Sequence, residues 1–282
     1  MVATSDARLM MTPQTLSNRA VLQLSGDNVL AFLHNILTCD VAELPAQNWA
    51  YGALLSPQGK IQHDMFVGHD GARVFIDCAA AQVEALLQKL KLYRLRAKID
   101  IAHVAELKIA VSDAARVGLL SALDPRFAEM GYRSIVAATA LGADGDYHSH
   151  RIACGMADSD ADIGVNQLFP HEANFDLLGG VSFSKGCYVG QEVVSRMQHR
   201  GTARSRILPV ASMGKLPAPQ TAITSGETVI GTLLSNDGTL GIALIRIDRW
   251  NAATAPIMAG TVAISLRTLS WLPTSISEPA TL

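Results

Sequence analysis

Apolar and polar residues alternate over 19–25, the pattern of a strand with one buried face. Gly26 and Asp27 follow. Val29, Phe32, Leu33, Ile36 and Leu37 then recur on one face of a helix over 28–37, with Asp27 as its N-cap. Two extended runs, 49–55 and 61–67, flank Ser56-Pro57-Gln58-Gly59-Lys60, whose Pro and Gly are turn residues, so the runs pair as a hairpin. A turn at His69-Asp70-Gly71 leads to a strand over 73–78 and a helix over 79–96, where Val83, Leu86, Leu87, Leu90 and Tyr93 keep the helical period. Strand pattern returns at 98–104 and 107–112. This order predicts an α+β fold with a mostly antiparallel sheet. Residues 113–150 carry no clear period, and 151–157 predict a short helix before an acidic, glycine-containing loop.

Beyond Gly201 the helical periods stop. Short β-rich runs at 207–210, 222–224, 228–234, 240–247 and 262–269 alternate with turns, and Asn236-Asp237-Gly238 is a strong hairpin signal. These runs predict a small C-terminal β-barrel or sandwich. The chain divides accordingly into 1–203, an α+β region, 204–275, the β domain, and a tail, 276–282.

Composition narrows the classes. Of 282 residues, 49% are hydrophobic and 17% charged, the balance of a globular protein. A formal net charge of -2 argues against tight, direct nucleic-acid binding through phosphate neutralisation. Lys91, Arg94, Arg96 and Lys98 crowd one stretch, which reads as a solvated helix end. No apolar run is long enough to span a membrane, and no membrane partner is expected. Residues 1–11 lack the apolar core of a secretory signal and the arginines of a mitochondrial presequence. Cys39, Cys78, Cys154 and Cys187 form no C-x-x-C pair, which speaks against a zinc ribbon or a disulfide framework and predicts a reducing cytoplasm. His148-Ser149-His150 lacks a third ligand, so no metal site is expected.

One segment concentrates chemistry. Gly179-Gly180 and Gly186 bracket a predicted short strand, 181–183, and Gly190 precedes a predicted helix over 191–197 that Gly201 terminates. Cys187 therefore lies in a glycine-rich turn before a helix N-terminus, two residues from Lys185. Helix dipole and ammonium both favour its thiolate. Gln191, Glu192 and Arg196 supply hydrogen-bonding groups nearby. The alternative is a small buried cysteine in a tight turn, which the other three cysteines fit better.

Lys185-Gly186-Cys187-Tyr188-Val189-Gly190-Gln191-Glu192 resembles the K-G-C-Y-x-G-Q-E signature of the YgfZ family, folate-binding proteins that support iron–sulfur enzyme maturation. Residues 32–41, 51–60, 174–183 and 241–246 resemble further family segments in the same order. The resemblance implies the three-subdomain cloverleaf shared with the glycine-cleavage T-protein, an aminomethyltransferase, around a channel for tetrahydrofolate or a derivative. It implies Cys187, Lys185 and Asp64 as chemical groups, and Asp64, Tyr188, Gln191, Glu192 and Arg196 as folate contacts. Where T-proteins carry an acidic pair this chain has His63-Asp64, with His63 a candidate acid/base. That departure shifts the expectation from aminomethyl transfer towards an accessory factor for iron–sulfur enzymes, tRNA-modifying ones included, which contacts assembly proteins or clients transiently. A tetrahydrofolate-dependent one-carbon transferase or demethylase and a non-catalytic scaffold are the alternatives.

Overall fold

The computed structural model describes residues 11–140, 142, 145–201 and 203–277. The expectations for residues 1–10 and for the last residues of the tail lie outside them. Strands β1 (Gln14–Thr15) and β2 (Arg19–Gly26) precede helix α1 (Val29–Ile36), then β3 (Trp49–Leu55), β4 (Ile61–His69), β5 (Val74–Ala79), α2 (Val83–Tyr93) and β6 (Ile99–His103). Five of these strands form an antiparallel sheet in the order β3-β4-β5-β2-β6. Strand alternation gives β4 two buried faces. Met65 and Val67 pack beneath α1 and α2, while Phe66 points into the core shared with the rest of the chain.

Packing, not capping, holds α1. Its N-cap is Asn28 at φ 59°, with no side-chain hydrogen bond, so the expected Asp27 cap is absent. Asparagine tolerates that left-handed backbone, and the missing cap costs about 1 kcal/mol. Leu33 and Leu37, both fully buried, outweigh it at roughly 1.5–3 kcal/mol each.

The stretch without a sequence period holds two strands of a second sheet, which also takes in the strand expected at 107–112. Strands β7 (Leu107–Ser112), β8 (Leu120–Leu123) and β9 (Tyr132–Ala137) join β1 in the order β1-β7-β9-β8. Helix α3 (Tyr147–Ala153) begins four residues before the expected 151–157. Its His150 and Arg151 are buried, which obscures the apolar pattern. Residues 181–183 make no strand. The Ser182 amide donates to the Thr38 carbonyl (2.9 Å) and the Thr38 hydroxyl to the Gly180 carbonyl (2.6 Å), in place of a ladder.

Helix α4 (Gln191–Arg200) leads into β10 (Ser205–Ser212), β11 (Ala222–Ser225), β12 (Thr228–Asp237), β13 (Leu240–Arg246), β14 (Ile257–Ala259) and β15 (Val262–Leu266). These six close into a barrel, β10-β13-β12-β11-β14-β15, sealed where Val210 pairs with Leu266. Buried Arg206 ties the barrel to the preceding segment, donating to the His171 carbonyl (2.8 Å) and the Asp176 carboxylate (2.7 and 2.9 Å).

The two open sheets are joined by charge. Asp77 on β5 is completely buried and bonded to Arg19 on β2 (2.6 Å) and to Arg133 on β9. Arg133 stacks over the Phe66 ring at 3.9 Å. Removing one partner from such a group leaves unpaired charge in the interior, at a cost of about 3–5 kcal/mol. Asp77→Asn is therefore expected to lower the unfolding free energy by about that amount, measured by urea denaturation; a loss under 1 kcal/mol contradicts the role given to Asp77.

Candidate functional site

The Cys187 loop is pinned on both sides. On one side, the buried Lys185 ammonium reaches the carboxyl end of α1 and donates to the carbonyls of His34, Leu37 (2.6 Å) and Cys39 (3.2 Å). A cation there satisfies carbonyls that α1 leaves open. Burial holds the Lys185 pKa below that of an ordinary lysine. Its donors are thus engaged by these three carbonyls, which anchor the loop to the end of α1. On the other side, Gly190 (φ 83°) lies against the Ser56–Lys60 turn; a Cβ there would sit 2.7 Å from the Ser56 carbonyl oxygen. Only glycine fits that approach.

Between the anchors Cys187 is exposed, just ahead of the α4 N-terminus, while Cys39, Cys78 and Cys154 are buried. Burial pushes the thiols of Cys39 and Cys78 up to about 12 and that of Cys154 to about 11. Tyr188 is buried under the loop, its ring 5.1 Å from the Lys185 ammonium and its hydroxyl pushed up to about 12 by burial. Glu192 and Arg196 are exposed and paired with each other. One thiol of the native protein should react fast with a maleimide. Mass spectrometry is expected to find one adduct before unfolding, none in Cys187→Ser over the same interval, and four after unfolding.

Asp64 lies elsewhere. His63 and Asp64 point to opposite faces of β4. His63 Nδ1 meets Gln82 Oε1 at 2.9 Å beneath the helices, and burial lowers its pKa. Asp64 faces the junction of the sheets, where its carboxylate accepts from the Ser159 hydroxyl (2.9 Å) and Tyr51 hydroxyl (3.2 Å). Burial raises the Asp64 pKa, although Arg19 opposes the shift. The crevice beside it, lined by Arg19, Phe66, Arg126, Arg133, Tyr147 and Ser159, measures about 10 Å³. That is room for one water at most. The Arg133 Nε in it is buried without a partner.

A second, open groove of about 750 Å³ runs past Trp49, Asp124, Phe127 and Tyr132, a volume suited to small ligands. Among the described residues, Arg126 alone lines both spaces. Its guanidinium is held two-pronged by Asp124 (2.8 and 3.0 Å) and stacks on Phe66 (4.8 Å) and Tyr51 (5.3 Å). A two-ring pterin does not fit the crevice with Arg126 in that position. Tyr188, Gln191, Glu192 and Arg196 line neither space, so the residues expected to act together occupy two places.

Arg19, Asp77, Asp124, Arg126 and Arg133 were not singled out from the sequence. The signal for Asp77 was a lone charge in the apolar run Val74-Phe75-Ile76-Asp77-Cys78. Among the described residues, no group of three His, Cys, Asp or Glu is arranged to hold a metal.

Two open sheets joined to a closed barrel, with a crevice at their junction, define an aminomethyltransferase-like fold. The same fold appears in the glycine cleavage system aminomethyltransferase T from Bartonella henselae, with a TM-score of 0.72 at 13% identity, covering 94% of this chain and 87% of that one. Residues 204–274 match the family described as the CAF17 C-terminal β-barrel domain. The human mitochondrial iron–sulfur cluster assembly factor IBA57 is 30% identical over 272 residues, 82% of this chain and 76% of its own. Its mitochondrial homologue in Pyricularia oryzae is 28% identical over 285 residues, 86% and 73% of the two chains. The chain belongs to the IBA57 family of iron–sulfur cluster assembly factors. These relatives are mitochondrial proteins, which overturns the cytoplasmic setting expected from the cysteines.

Proposed function

We propose that this chain supports the assembly or repair of iron–sulfur enzymes, tRNA-modifying ones among them, by lending the Cys187 thiolate to a cluster or sulfur species held by a partner. The observation that carries this is an exposed thiol on a loop fixed at Lys185 and Gly190, while every other cysteine is buried. Family membership and the likeness of residues 185–192 to the YgfZ signature support it. A cluster normally takes four protein ligands, so one cysteine acts by sharing or bridging. In cells lacking their own copy of the gene, Cys187→Ala is expected to fold and accumulate like the parent yet cut tRNA methylthiolation and other iron–sulfur enzyme activities several-fold. Full activity in that strain would sink the proposal.

Tetrahydrofolate binding is a second reading, favoured by the shared aminomethyltransferase fold and by a carboxyl, Asp64, whose neutral form burial favours beside aromatic rings. It requires Arg126 to leave its stack and swing into the groove. Titration calorimetry with tetrahydrofolate should then show tighter binding to Arg126→Ala than to the parent. Absence of heat with both proteins removes the folate reading and leaves the role of Cys187 standing.

A further inference from the structure

The turn between α2 and β6 is built against its own stability. Leu92 and Leu95 hold 69% and 84% of their surface in water. Leu95 sits at φ 48°, a left-handed backbone unfavourable for a leucine. Lys91, Arg96 and Lys98 surround them, exposed and, among the described residues, without an acidic partner. Arg94 is turned back to the Ile99 carbonyl. Of the nearby acids, Glu84 lies at the far end of α2 against His103 (3.7 Å), and Asp100 stands one residue past Ile99 on β6. The result is an exposed aliphatic turn flanked by cations that, among the described residues, have no acidic partner.

Its position connects it to Cys187. The Lys98 carbonyl backs directly onto Gly26, where a Cβ would lie 2.2 Å away, and Gly26 leads into the amino end of α1. The carboxyl end of α1 holds Lys185. Eight residues of helix span about 12 Å. Asp27, Asn28, Ala31 and Asn35 are exposed along that length. One protein surface can therefore cover the leucine tip, the outer side of α1 and the Cys187 loop together.

We propose that the leucine-tipped basic turn is the docking contact for the partner protein served at Cys187, and that this partner presents an acidic face with an apolar pocket. The inference rests on the role given to Cys187 above. Charge complementarity selects acid, and it steers encounter and register more than it sets affinity. The two leucines supply the desolvated centre that anchors such contacts. A nucleic acid has no use for them. A lipid surface would bury them without any relation to a thiol one helix away.

The test places a photo-reactive benzoylphenylalanine at Leu95, or separately at Ser184 beside Cys187, in the full chain in cells. Both positions are expected to capture one and the same acidic protein. The triple variant K91E/R96E/K98E should reduce both adducts at least tenfold while leaving maleimide labelling of Cys187 unchanged. Binding of that protein, once purified, should weaken at least tenfold in L92S/L95S and fall as salt is raised. Different proteins at the two positions, adducts only to lipid or nucleic acid, or a Ser184 adduct indifferent to the triple variant each overturn the docking site. Loss of enzyme activity in Cys187→Ala without a Leu95 adduct would keep the iron–sulfur role and reject the docking. Retained activity with both adducts intact would do the reverse.

Discussion

The structure turns on one carboxylate shared by two guanidinium groups. Asp77 has no exposure to water, and Arg19 and Arg133 reach it from different sheets. Neither arginine is tolerable in the interior alone, because burial disfavours an unpaired charge far more than one hydrogen bond can offset. Their pairing with Asp77 ties one sheet to the other, and Phe66 offers its ring face to the same cations. The crevice at Asp64 is what remains once these groups are in place. Its small size follows from charge satisfaction, not from a shortage of space in the fold.

The same economy separates the two candidate sites. At 13% identity the aminomethyltransferase T fold is retained, yet the centre of this chain is filled by its own side chains, Arg126 foremost. The exposed thiol sits instead on the rim, on a loop supported from beneath by Tyr188 and Lys185. The rim leaves that thiol open to a second molecule, which the enclosed crevice does not do for Asp64.

Much of this was legible in the sequence where one periodicity dominates. The hairpin around Ser56–Lys60, the helix around Leu86 and Leu90 and five of the six barrel strands show a clean apolar pattern and were placed within a few residues, whereas the three-residue β14 was not expected. In the second sheet β7 was placed but β9 was not, because Ser134 and Arg133 put polar groups inside it and break the alternation. The bonds of Lys185 were hidden for a different reason. Its acceptors lie 146 to 151 residues earlier in the chain, while the apparent neighbour, Cys187, is two residues away. Contacts of that sequence separation leave no local pattern to read. The burial of Cys39, Cys78 and Cys154 was foreseeable from their apolar surroundings.

The loop pinned at Lys185 and Gly190 also sets a limit on reach. With Lys185 locked to α1 and Tyr188 buried beneath, only Gly186 and Cys187 remain free between fixed points. Two residues of fully extended chain span about 7 Å. The sulfur therefore cannot travel to a distant acceptor or fold back to the Asp64 crevice through a large excursion of its loop. A molecule that meets this thiol must come to it, so its shape and approach decide whether contact is made.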